Sequence, residues 1–183
     1  MIFWISFALG SIVLVVISWK PLHHPDSHGF YRFFGWEAIL ALILINLPNW
    51  FSRWTAWYQI ISWILLLGCL LPMIFGVNSL RKRGKPDKDE RPDSQLMAFE
   101  RTTKLVTDGI YRFIRHPLYS SLLLLAWGVF FKAPTQTGIT LALLATLFLH
   151  ATAKADEAEC IQAFGTDYRD YMKRTKMFIP YVF

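Results

Sequence analysis

Cysteine is nearly absent from this chain of 183 residues: Cys69 stands in an apolar run and Cys160 in a charged tail. That excludes a disulfide framework and any cysteine-based metal spacing. Charge is scarce too, at 17% against 54% hydrophobic residues, so a water-soluble domain is not the expected class. No basic segment precedes the first apolar run, and no small-x-small site follows it closely. A retained membrane helix is therefore expected there rather than a removed signal peptide. Internal repeats and low-complexity tracts are absent. The net charge of +6 comes from basic residues beside apolar runs, a placement that argues against nucleic acid as a partner.

What is present is a series of apolar stretches. Met1–Trp19, Gly35–Trp50 and Ala56–Asn78 read as three spans, followed by two shorter ones, Leu118–Phe131 and Gly138–Ala153. The fold class expected is an all-α integral membrane protein of about five transmembrane helices with a cytosolic C-terminal amphipathic helix. Glu37 is expected at the interface, Pro72 should bend the third span, and Gly68 and Gly76 should allow close helix approach. Residues 1–79 hold the first three spans. Residues 80–183 hold a charged loop, the last two spans and the tail, within a single domain overall. A short helix over Ser94–Lys104 is expected to lie across the site. In Lys154–Lys176, Cys160, Ile161, Phe164, Tyr168, Tyr171 and Met172 recur at helical spacing. This face is expected to serve packing or membrane contact, with Glu159 on the opposite face and an interruption at Gly165.

Basic residues set the orientation. The loops around Lys20–Phe34 and Leu80–His116 share one side with the tail, and the other side carries only Arg53 and Lys132. The positive-inside rule places the former side in the cytosol: the inner membrane if the source is bacterial, the endoplasmic reticulum if eukaryotic. The polar stretch Leu22–Phe34 contains His23, His24, Asp26 and His28, which are zinc-ligand types. No matching cluster follows, so a solvated turn around Pro25 is expected and no metal.

The chemistry-bearing stretch is Gly109-Ile-Tyr-Arg-Phe-Ile-Arg-His-Pro-Leu-Tyr119. Arg112, Arg115 and His116 gather three cationic groups where a loop becomes an apolar helix, and Pro117 suits its first turn. Such a helix start, preceded by positive charge, suits a carboxylate. Tyr111 and Tyr119 offer faces for an adenine or a cation. Leu105 and Val106 offer backbone edges, and Glu157 offers a carboxylate to an ammonium or a ribose.

This stretch resembles the G-x-Y-x-x-x-R-H-P-x-Y signature of the isoprenylcysteine carboxyl methyltransferase family. These are integral-membrane enzymes that use S-adenosylmethionine and are related to the phospholipid N-methyltransferases. The resemblance runs on through Asp156-Glu157, Phe164-Gly165, Tyr168, Tyr171 and Ile179-Pro180. It implies cofactor contacts at Arg115, His116, Pro117, Tyr119 and Glu157, beside those read for Leu105, Val106 and Tyr111. Thr152 stands where the eukaryotic enzymes tend to carry an arginine, so Lys154 is the expected grip on an acidic acceptor. The expected catalytic set is Arg115, Glu157 and Lys154, and the expected acceptor is a lipophilic or prenylated molecule. A phospholipid amine is the main alternative. An NADPH-dependent sterol-type reductase and a non-catalytic protein with a juxtamembrane anchor are readings of other classes.

Overall fold

The computed structural model describes residues 2–52, 54–84 and 102–181. Arg53 and most of the helix expected over Ser94–Lys104, as far as Arg101, lie outside the described residues. Among those described, the chain is helical, with one isolated parallel bridge between Ile114 and Lys176.

The first run forms α1 (Ile2–Ile17) and a single turn, α2 (Trp19–Leu22). The polar stretch is shorter than expected. Helix α3 (His28–Asn46) begins inside it, with the Ser27 hydroxyl accepting from the Phe30 amide at its N-terminus. Glu37 consequently sits in the middle of α3, where it accepts from Ser11 Oγ of α1 at 2.7 Å. It is not at a helix start.

The third run divides into α4 (Trp57–Gly68) and α5 (Leu70–Arg83), which meet at Cys69. Pro72 lacks the N–H that would bond back four residues, so the break falls one turn before it. Gly76 does allow close approach: a Cβ there would stand 3.2 Å from Pro117 Cγ. Gly68 does not, since nothing lies within 4 Å of such an atom.

Helix α6 (Pro117–Phe130) opens on the expected proline. The last apolar run and the tail form one helix, α7 (Gln136–Arg174), of 39 residues. It bends at Gly165, whose φ of 59° and ψ of −127° belong to glycine's own region. At about 1.5 Å per residue its stretch before the bend, 136–164, is about 44 Å long, well beyond a hydrocarbon core of about 30 Å.

The buried centre lies where α3, α6 and α7 meet. Leu42, Ala126, Val129, Ala142, Ala145 and Leu149 are sealed there. Small residues on α6 and α7 let the backbones come together, while α1, α4 and α5 keep large apolar faces outward. Three helical stretches, 28–49, 57–83 and 136–174, are long and apolar enough to cross a membrane; α1 and α6 are shorter apolar helices. Outward apolar area on this scale marks a helical membrane protein.

Lys132, which follows α6 in the turn to α7, is buried. Its Nζ lies 3.5 Å from the Trp63 ring centroid and 3.2 Å from Gln59 Oε1. Cation–π attraction and a hydrogen bond replace the water it gives up.

Candidate active site

The signature begins on a turn that requires glycine. Gly109 has φ of +66°, and a Cβ would stand 3.1 Å from Ser79 Oγ on α5. A 3-10 turn over Gly109–Arg112 then sends Tyr111 inward and leaves Arg112 exposed. Of the three cationic groups expected to gather here, only Arg115 and His116 face the site.

Residues 113–116 run beside the chain terminus. Arg115 N donates to Lys176 O at 2.8 Å and His116 N to Met177 O at 3.2 Å, while Lys176 N donates back to Phe113 O at 3.3 Å. Ser120 Oγ adds a bond to Phe178 O at 2.9 Å. The two sequence blocks are therefore joined through the main chain. Tyr171 Oη donates to Tyr111 O at 2.6 Å, closing the same unit from α7. Burial raises the Tyr171 phenol well above its ordinary value and so preserves the proton this bond uses.

Five ionisable groups lock together behind it. Arg115 Nε donates to Glu157 Oε1 at 2.8 Å, and its Nη1 reaches Met172 O at 3.3 Å and Thr175 O. Lys154 Nζ lies 3.1 Å from Glu157 Oε2. His116 stands between two acids: its Nδ1 is 3.3 Å from Asp156 Oδ2 and its Nε2 is 3.6 Å from Glu157 Oε1.

Burial by itself would raise both carboxyls. For Asp156, the His116 hydrogen bond, the nearby charge of His28 and a Tyr119 hydrogen bond outweigh it and hold the group well below the usual carboxylate range. For Glu157, contacts with His116, then Lys154 and Arg115, hold the carboxyl at about 2. Burial also works against the imidazolium of His116, yet its bonds to Asp156 and Glu157 win and raise its pKa.

In front of this set lies a cleft with about 710 Å³ of empty space counted to its mouth. Leu105, Val106, Tyr111, Arg115, His116, Pro117 and Tyr119 all line it. Glu157 is not on that wall. It stands behind, its side chain 5% exposed and held by Arg115 and Lys154. Its neighbour Asp156 takes the cleft-facing place. Lys154 belongs to an adjoining polar pocket shared with Arg115, His150 and Lys176.

Sequence reasoning misplaced part of the wall. Cys160, Phe164, Tyr168 and Tyr171 line the cleft, so the tail stripe is not merely a packing or membrane face. Its helical continuation from Asp156 was the available signal. Glu159, expected on the outer face, accepts from His28 N at 2.8 Å and stands 2.7 Å from His28 Nδ1. His28, expected in a solvated turn, is 1% exposed and lines the cleft, whereas His23, His24 and Asp26 are exposed. Thr152 is sealed in, its hydroxyl donating to Phe148 O at 2.7 Å.

A second depression lies beside the first. It is an apolar groove between α4, α6 and α7 with about 1550 Å³ of empty space counted to its open side. Leu123, Trp127, Leu147, Phe178 and Ile179 contribute to its walls, and His150 lines both the groove and the polar pocket. Cleft, polar pocket and groove thus follow one another across the signature unit.

Residues 93–171 match the phospholipid methyltransferase family. Methanethiol S-methyltransferase 1 of Bradyrhizobium diazoefficiens is 23% identical over 97% of this chain and 53% of its own length. Protein-S-isoprenylcysteine O-methyltransferase of Mus musculus is 29% identical over 79% of this chain and 50% of its own. The probable protein-S-isoprenylcysteine O-methyltransferase of Oryza sativa subsp. indica is 31% identical over 46% of this chain and 44% of its own. The chain spans about half the length of these curated relatives. No solved structure matches it. The family match covers less than half of the chain, yet it spans both the signature and the acidic pair, and the relatives it resembles are named methyltransferases.

Proposed function

We propose that this chain is a membrane-embedded methyltransferase that takes S-adenosylmethionine in the polar cleft and a lipophilic acceptor in the apolar groove. The observation that carries the reading is that the polar pocket shares Arg115 with the cleft and His150 with the apolar groove. The donor set of the cleft fits the cofactor. Asp156 offers a carboxylate to an ammonium, and His116 with the start of α6 offers positive potential to a carboxylate. Tyr111, Phe164 and Tyr168 offer aromatic faces to an adenine or a sulfonium. When bound, S-adenosylmethionine supplies a methyl group to an aligned nucleophile, with no covalent enzyme intermediate. The chain's own work is alignment and exclusion of water. Arg115 and Glu157 hold the terminal segment against the signature, and Lys154 with Lys176 gives the junction with the groove a positive field.

That field suits an acidic acceptor better than an amine, and the apolar lining of the groove suits an apolar tail. An isoprenylcysteine carboxyl group is therefore the first choice of acceptor, O-methylated and entering sideways from the bilayer. S-methylation of a small thiol is the second reading, because the relative that covers the most of this chain among those compared is named for that reaction. Five spans, with the signature and C-terminus on the cytosolic face, complete the proposal. Detergent-purified protein should bind S-adenosylhomocysteine and not NADPH. Labelled S-adenosylmethionine should mark a prenylcysteine analogue in preference to phosphatidylethanolamine or methanethiol. Label confined to either competitor would overturn the choice of acceptor, and binding of NADPH alone would overturn the methyltransferase reading.

A further inference from the structure

The geometry points to His28, outside the family-matched segment, as a positioning residue that holds Asp156 for the amino-acid end of the cofactor. This rests on the proposal that the cleft takes S-adenosylmethionine.

His28 is the first residue of α3, and its side chain is 1% exposed. It is fixed from two directions. Glu159 accepts from the His28 amide at 2.8 Å and lies 2.7 Å from Nδ1, so one carboxylate caps α3 and orients the ring together. On the far edge Arg32 Nη1 lies 3.5 Å from Nε2, with its guanidinium 4.9 Å from the Trp36 ring centroid. A ring held this way has little rotational freedom. It presents to the cleft beside Asp156, and the ligating atoms of His28, Asp156 and Glu159 all lie within 4.8 Å of one another.

That spacing also raises the question of a metal ion. The surroundings disfavour one. Arg32 places a fixed positive charge at Nε2, and Nδ1 is engaged by Glu159. Asp156 in turn is approached by His116 at 3.3 Å. The arrangement leaves Asp156 as the cleft-facing carboxylate, steadied between two histidines. An ammonium group would meet it there. Helix α3 therefore enters the site through His28, which joins it to α7 across a sequence separation of 131.

The test compares two ligands on purified full-length protein. S-adenosylhomocysteine carries the amino-acid group, whereas 5′-methylthioadenosine keeps the nucleoside and the thioether and lacks it. His28→Ala is expected to weaken S-adenosylhomocysteine at least tenfold and to leave methylthioadenosine within about twofold, on the scale of one polar contact. Glu159→Gln, which keeps the size and removes the charge that holds the ring, should show the same selectivity to a smaller degree. Equal weakening of both ligands would reduce His28 to a packing role and overturn the inference. Unchanged binding of both would do the same. Wild-type protein that binds neither ligand would instead overturn the cofactor reading beneath it.

Discussion

His116 makes the site sensitive to pH from both sides. Asp156 and Glu157 titrate below their ordinary values, so the stability they contribute is present above about pH 4.5 and is lost as pH falls, for Glu157 through about 2. His116 titrates above its ordinary 6.5, so the contribution of its imidazolium is present below pH 6.5 and is lost as pH rises through the raised value. The thermal midpoint of detergent-solubilised protein should therefore peak between these limits and decline on the alkaline side. His116→Gln should flatten that alkaline decline and lower the peak by about 1–3 kcal/mol, the usual consequence of unpairing buried polar groups. Glu157→Gln should weaken the acid limb and also shrink the alkaline one, since Glu157 is one of the two acids that raise His116. A scan of thermal midpoint from about pH 2 to about pH 9 checks both. An alkaline decline that persists in His116→Gln would assign it to another group.

Among the elements, α7 carries the most. One half is sealed against α3 and α6, and the other half supplies a wall of the cleft. The bend at Gly165 separates Phe164 from Tyr168 and Tyr171 and decides where the two tyrosines meet Tyr111. Among the described residues nothing lies within 4 Å of a Cβ added at Gly165, so a substitution there is opposed by backbone conformation. Gly165→Ala should cost about 1–3 kcal/mol. If α7 straightens to relieve that strain, the Tyr171–Tyr111 bond is lost. Thermal stability and S-adenosylhomocysteine affinity should then fall together. A fall in stability with unchanged affinity would show that the bend does not shape the cleft.

At the scale of the whole molecule, the proposed topology places both site blocks on one face of the membrane. The length of α7 supports it, because its stretch before the bend, about 44 Å, already exceeds the hydrocarbon thickness. Its projecting end is the charged one, with exposed Asp170 and Lys173 paired at 2.8 Å. A cysteine introduced as Lys173→Cys should resist a membrane-impermeant thiol reagent in intact cells and react once the membrane is opened. Rapid labelling in sealed cells would put the site on the outer face.

The sequence by itself determined the helical membrane build, the glycine and proline that frame the signature, and the family resemblance. Each is a local matter: an apolar run long enough to cross a bilayer, a backbone angle only glycine adopts readily, a proline tolerated at a helix start. It also named seven residues that do line the cleft, because the signature is a short continuous segment. What only the tertiary structure decided was what those faces meet. Periodicity shows that a helix has an apolar stripe, and it does not say whether the stripe faces lipid, core or a cleft. Hence the tail tyrosines became a cleft wall, Lys132 was drawn under Trp63, and Arg115 was turned onto Glu157 and the carbonyls near the terminus. His28 and Glu159 are 131 positions apart, and no local pattern in either segment encodes that they touch. Their contact exists because α3 and α7 pack along the same buried seam, which brings a helix start in the first half of the chain to the acids of the second.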